Sequence, residues 1–132
     1  MKMKNNADNK NYSDRFIVNL ANDLYGKHTL KADACRHILA AAYYTTKYGP
    51  FIAKLGGFLV EILGSVKAMI QLKGFSSGWL MDIRNNEIGI EMGKQYKKAG
   101  FNELLEKTKI ILHEGAFYMP TGRMAKDELN NS

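Results

Sequence analysis

Apolar residues along this chain recur at intervals of three and four and almost never alternate, which is the period of helices rather than strands. Capping and stop residues divide the pattern into five helical runs. Ser13 is placed to cap Asp14–Tyr25, which Gly26 stops, and Thr29 to cap Leu30–Tyr48, which Gly49 stops. Pro50 stands at the first position of a third run, Pro50–Leu72, with Gly74 beyond it. Ser76 or Ser77 caps a fourth, Gly78–Ala99, ended by Gly100, and Asn102 caps a fifth, Glu103–His113, ended by Gly115. Residues 116–123 contain Pro120 and Gly122 and read as a loop, extended in part, before a weak turn over 125–129. The connections are only a few residues long, so successive helices should lie antiparallel. The predicted fold is an all-α, single-domain helical bundle of about five helices over residues 12–132, with a short irregular C-terminal segment. Residues 1–11, built only of Met, Lys, Asn, Ala and Asp, read as a flexible basic arm.

The polar positions inside these runs are more informative than the apolar ones. At about 100° per residue, Asp82, Asn85, Asn86, Gly89 and Gly93 share one arc of the fourth run, while Arg84, Glu87, Glu91, Lys94 and Lys98 gather opposite. The charged arc is the solvated face, and Ile83, Ile88, Ile90 and Met92 flank the other, which therefore points inward. Inward carboxylates and amides cost several kcal/mol unless paired or wetted, so this stripe is either a satisfied polar network or the wall of a site. The second run carries Asp33, Arg36 and His37, with Ala40 and Tyr44 continuing the arc. Asp33 and His37 are four residues apart, close enough for the carboxylate to fix the imidazole tautomer. The third run is apolar nearly all round and reads as a buried central helix. Its Glu61 lies between Phe58 and Ile62, and Gly56, Gly57 and Gly64 each cost roughly 0.5–1 kcal/mol relative to alanine, which calls for close packing or for room beside Glu61.

Antiparallel neighbours would bring His37, Glu61 and Asp82 into one pocket. A carboxyl in an apolar setting has a raised pKa and suits a general acid, the role expected of Glu61; Asp82, beside amides, would stay ionised as base or nucleophile. Two carboxyls separated in this way are what glycoside cleavage uses. His37 is the third catalytic candidate, and Arg36, Asp33, Tyr44, Asn85 and Asn86 are candidate substrate contacts. His37, Glu61 and Asp82 also offer imidazole and carboxylates to a divalent metal. Neither His-Glu-x-x-His nor Cys-x-x-Cys is present, so no cofactor is expected and the metal is the alternative. Cys35, the one cysteine, excludes an internal disulfide and projects about 160° from His37, as core filler would. His28 falls in a turn and His113 near a helix end, a surface and a capping position.

The formal charge is +6, which implies anionic partners: nucleic acid, anionic lipid or the acidic polymers of a bacterial envelope. No helix-turn-helix or zinc spacing favours nucleic acid, which stays open as a partner. Phe51–Leu72 is long enough to span a bilayer, but Lys54, Glu61 and Lys67 interrupt it, so no transmembrane segment is expected. No apolar run follows the N-terminal lysines. The expectation is a protein made in the cytoplasm without a signal peptide, acting at the envelope only after delivery by another protein.

Three blocks of the chain resemble a family of uncharacterised bacterial and phage domains, some at the C-terminus of secreted toxins. The blocks are Asp33-Ala34-Cys35-Arg36-His37, then Gly49, Ala53, Gly57 and Glu61, then Met81-Asp82 with Asn85-Asn86 and Gly89. Val60 stands where the family pattern often has histidine. The resemblance, over about residues 29–100, implies that the blocks form one site and belong to phage or toxin biology. Together these readings predict a small basic hydrolase of phage or toxin type, cleaving peptidoglycan with a buried Glu/Asp pair. The alternatives are a non-enzymatic phage protein binding a host protein or nucleic acid, and a metal-dependent phosphodiesterase or phospholipase.

Overall fold

Local capping chemistry starts the first two helices where the sequence places them. Ser13 Oγ accepts from the Phe16 amide at 3.1 Å and opens α1, Asp14–Tyr25; Thr29 Oγ1 accepts from the Ala32 amide at 3.0 Å and opens α2, Leu30–Tyr48. Gly26 and Gly49 end them at φ +96° and +89°, a backbone region that glycine reaches without a side-chain clash. The structure is a computed structural model that describes residues 11–56 and 79–130. Within them follow a helical stretch at 50–56, α3 (Trp79–Gln95), α4 (Phe101–His113) and α5 (Ala125–Asn130), an all-α bundle.

Among the described residues α2 is the central helix, packed against α1, α3 and α4. Its Ala34, Cys35, Ile38, Leu39 and Ala42 are buried and meet Ile17 and Ala21 of α1 and Leu104 and Leu112 of α4. The sequence assigns the central place to Pro50–Leu72 instead. In the part of that run described here, Phe51, Ile52 and Leu55 are exposed, so its apolar composition does not by itself report burial; residues 57–72, with Glu61, lie outside the described residues.

α2 and α3 approach unusually closely. A β-carbon on Gly89 would stand 2.2 Å from the Ile38 carbonyl oxygen, and one on Gly93 would stand 2.6 Å from Thr45 Cβ. Glycine on α3 facing alanine and threonine on α2 is what allows the two backbones to touch. The inward arc of α3 thus brings its polar members within side-chain reach of α2.

Two boundaries differ from expectation. α3 ends at Gln95 rather than Ala99, its last turn tightening as the Ala99 amide donates to the Tyr96 carbonyl at 3.0 Å. α4 begins at Phe101 behind Gly100, which makes no side-chain cap, so Asn102 is already inside the helix. Phe101 is buried and stacks on Tyr12 at 4.0 Å between centroids, and this packing draws the start of the helix forward by two residues. After α4, an isolated antiparallel bridge between Tyr118 and Met124 makes the expected extended loop. No helix among the described residues is long and apolar enough to cross a membrane.

Candidate functional site

Asp33 and His37 sit one turn apart on α2, and Asp82 and Asn86 one turn apart on α3, so the touching helices set four polar side chains in a square. His37 Nδ1 is 2.9 Å from Asn86 Oδ1, and its Nε2 is 3.2 Å from Asp82 Oδ1 and 3.7 Å from Asp33 Oδ1. Arg36 Nη2 donates to Asp33 Oδ1 at 2.7 Å and lies 3.0 Å from His37 Nε2. An amide oxygen facing Nδ1 requires a proton on that nitrogen, which leaves Nε2 as the atom that turns towards the carboxylates. One ligating atom from each of Asp33, His37 and Asp82 falls within 4.8 Å of the others.

Burial penalises the imidazolium of His37, but the contact and charge of Asp82, with Asp33 adding to them, raise its pKa on balance. Burial, with the like charge of Asp33, raises Asp82 against the pull of His37. Asp33 moves the other way: burial opposes its ionisation, but hydrogen bonding with Asp82 and the charges of His37 and Arg36 lower its pKa. The two carboxyls are thus displaced in opposite directions, Asp33 giving up its proton more readily than an ordinary aspartate and Asp82 less readily. Asp82 Oδ1 is close to Nε2 but poorly aligned with it, and this buried oxygen has no hydrogen bond.

One side of this cluster opens on a hollow of about 330 Å³, within the size range of small-ligand sites. Arg36, His37 and Asn86 stand at one end, and its walls are Ile17 and Val18 of α1, Ala40 and Ala41 of α2, and Ile52 of the 50–56 stretch. Tyr44 lines it further along α2, its hydroxyl donating to Asp14; burial and that carboxylate push the phenol pKa up, so Tyr44 is a fixed donor rather than an acid.

Of the residues singled out in the sequence, Asp33, Arg36, His37, Asp82 and Asn86 come together, and Tyr44 shares their hollow. Asn85 does not. It is fully buried, its Nδ2 donating to the Tyr118 carbonyl at 3.2 Å and its Oδ1 accepting from the Tyr118 amide at 2.8 Å, so it holds the C-terminal loop and does not reach the hollow. Arg84 reinforces that anchor by donating to the Gly122 carbonyl at 3.0 Å. Glu61, and with it the expected Glu61–Asp82 pair and the His37, Glu61 and Asp82 metal set, lies outside the described residues. Cys35 is buried away from the cluster, burial pushing its thiol up to about 11, as suits core filler. The α1 wall and Asp14 carry no sequence signal, because Asp14 reads fully as a first-turn helix residue. Comparison with protein-family models, with curated proteins and with solved structures finds no match to this chain.

Proposed function

We propose that the protein is a small hydrolase whose reacting centre is Asp33, His37 and Asp82, holding a divalent cation between them. The observation that carries this reading is the orientation of His37. With Nδ1 committed to Asn86 at 2.9 Å, Nε2 converges with two carboxylate oxygens. A histidine that ligates a metal usually has its other nitrogen held in this way, and imidazole with two carboxylates suits zinc, manganese or iron. A cation in that position supplies a water of lowered pKa and polarises the bond to be cleaved. Arg36 Nη2 already lies against Asp33 Oδ1 and His37 Nε2, so a cation enters by displacing the guanidinium. The Arg36 guanidinium, on a side chain 39% exposed, then turns into the hollow that it lines and meets the substrate. The net charge of +6 suits an anionic substrate of the bacterial envelope, and the likeness of the three blocks to phage and toxin domains is in keeping with a delivered hydrolase.

The test is calorimetric titration with zinc and manganese, beside turnover of peptidoglycan, phospholipid vesicles and nucleic acid with and without chelator. One cation per chain, lost by at least about tenfold in Asp82→Asn, and turnover that chelator stops are the expected results. No turnover of any substrate would leave the cluster a polar network that specifies helix packing in a binding protein.

The opposite displacement of the two carboxylic acids favours a second reading, cleavage of peptidoglycan without a cation. Asp82, whose pKa burial pushes up, would be the general acid and Asp33, pulled down beside Asp82, His37 and Arg36, the base or nucleophile. That reading predicts turnover indifferent to chelator and lost in both Asp33→Asn and Asp82→Asn.

A further inference from the structure

We infer that the substrate is a phospholipid taken from an anionic membrane surface, its acyl chain in the apolar hollow and its carboxylic ester at the His37 end. The inference rests on the hydrolase reading and assigns its substrate class. The hollow is apolar along its middle, where Ile17, Val18, Ala40, Ala41 and Ile52 line it; Arg36, His37 and Asn86 stand together on α2 and α3, and the Tyr44 hydroxyl further along α2 is already engaged by Asp14. A sugar or nucleotide needs hydrogen-bond partners along its whole length, and burying its hydroxyls against these walls would leave them unpaired. A hydrocarbon chain needs none. The first polar group on such a chain is its ester, which therefore stops where the wall turns polar, and the phosphate beyond it meets the Arg36 guanidinium.

The mouth of the hollow carries a second, independent sign. Phe51 is 75% exposed, and Tyr48, Ile52 and Leu55 are each about half exposed, all on consecutive turns around residues 48–55. Such a cluster is unusual for a surface bathed only in water. A second hollow, of about 250 Å³, lies on the other side of the 50–56 stretch between Phe51, Leu55, Ile83 and Ile90, and it shares Asn86 with the first. Lys54 lines that second hollow opposite Glu87, and Lys47, next to Tyr48 in the chain, lies over its ring. Apolar side chains that enter the headgroup boundary, with lysines beside them and a net charge of +6, are complementary to an anionic bilayer. Tyr48 and Ile52 belong both to this surface and to the lining of the hollow, so a lipid held at the surface lies against the site.

In the reaction, the oxygen of a water adds to the acyl carbon and the bond from that carbon to the alcohol oxygen breaks. One proton of the water passes to the departing alcohol, and the fatty acid releases the other as it ionises. Hydrolysis needs no further reactant.

The experiment measures sedimentation with vesicles of phosphatidylcholine, with and without phosphatidylglycerol, and fatty-acid release from the same vesicles with zinc or manganese added. Turnover of peptidoglycan and of nucleic acid is followed in parallel. The wild-type protein is expected to sediment with the anionic vesicles and release fatty acid. Phe51→Ser and Leu55→Ser should each lower the apparent affinity by about tenfold or more, since each removes a large apolar group from the bilayer. Ile110→Ser, exposed on α4 away from this surface, should leave the affinity as it is. Asp82→Asn should still sediment but release no fatty acid. Circular dichroism on every variant excludes loss of fold as the cause. Turnover of peptidoglycan or nucleic acid without vesicle binding would overturn the lipid assignment and leave the hydrolase reading standing. Vesicle binding without turnover of any substrate would overturn the hydrolase reading, and the assignment with it.

Discussion

Replacing Gly89 by alanine tests the contact on which the whole site depends. On an open helix the change would stabilise by up to about 1 kcal/mol, because alanine loses less backbone freedom than glycine. At Gly89 the added carbon would stand 2.2 Å from the Ile38 carbonyl oxygen, 2.8 Å from Ala41 Cβ and 3.0 Å from the Ala42 nitrogen. Two of these atoms are backbone and cannot rotate away, so α2 and α3 must part by about 1 Å to reach ordinary contact distance. A gap of that size forfeits about a quarter to a half of the dispersion attraction along the shared face, and overpacking of this kind costs about 1–3 kcal/mol. The net expectation is a loss of about 1–2 kcal/mol. The same movement would stretch the 2.9 Å contact between His37 and Asn86 beyond hydrogen-bond range, although Gly89 touches neither residue. Cation affinity should therefore fall together with stability. Gly56→Ala is the comparator, since no atom of the described residues lies within 4 Å of a β-carbon there, and it should be neutral or stabilising by up to about 1 kcal/mol. Guanidinium unfolding gives the midpoint and slope for both variants, and calorimetry gives the cation affinity. An alanine at Gly89 that stabilises as much as one at Gly56, with cation affinity unchanged, would show that the two helices do not meet as described.

Asn85→Ala should cost about 1–3 kcal/mol in denaturant unfolding, because it leaves both the amide and the carbonyl of the half-buried Tyr118 without their partner, and cation affinity should change little. A large loss of cation binding at unchanged stability would return Asn85 to the site. Asp82→Ala should abolish cation binding, whereas Glu87→Ala, exposed on the opposite face of α3, should move stability by less than about 0.5 kcal/mol and leave binding intact. Equal effects of the two substitutions would reverse the assignment of the faces. The Cys35 thiol is pushed by burial from an ordinary 9.0 to about 11. Below about pH 9 the thiol is neutral in folded and unfolded chains alike and its full contribution is present; between about pH 9 and 11 only the unfolded chain ionises, so stability falls by about 2–3 kcal/mol relative to Cys35→Ala. Parallel stability curves for the two proteins across that window would refute a buried, neutral thiol.

The features legible in the chain are local in origin. Ser13, Thr29, Gly26 and Gly49 bound their helices through contacts with residues three or four positions away, and such signals need no knowledge of the rest of the chain. The inward arc of α3 was legible for the same reason, since helical period alone groups Asp82, Asn86, Gly89 and Gly93. Where tertiary packing competes with a local preference, the local reading failed: Asn102 is a good cap, yet Phe101 buries itself against Tyr12 and starts α4 earlier. Only the tertiary structure separated Asn85 from Asn86. They are neighbours on one arc, but one meets the loop after α4 and the other meets α2, and that divergence depends on which element each flank of α3 packs against. Nor could the pairing of Asp33 with Asp82 be read from the chain. Each carboxylate looks like a partner for a nearby cation on its own helix, and their opposed pKa displacements arise only because Gly89 and Gly93 let two backbones close to touching distance.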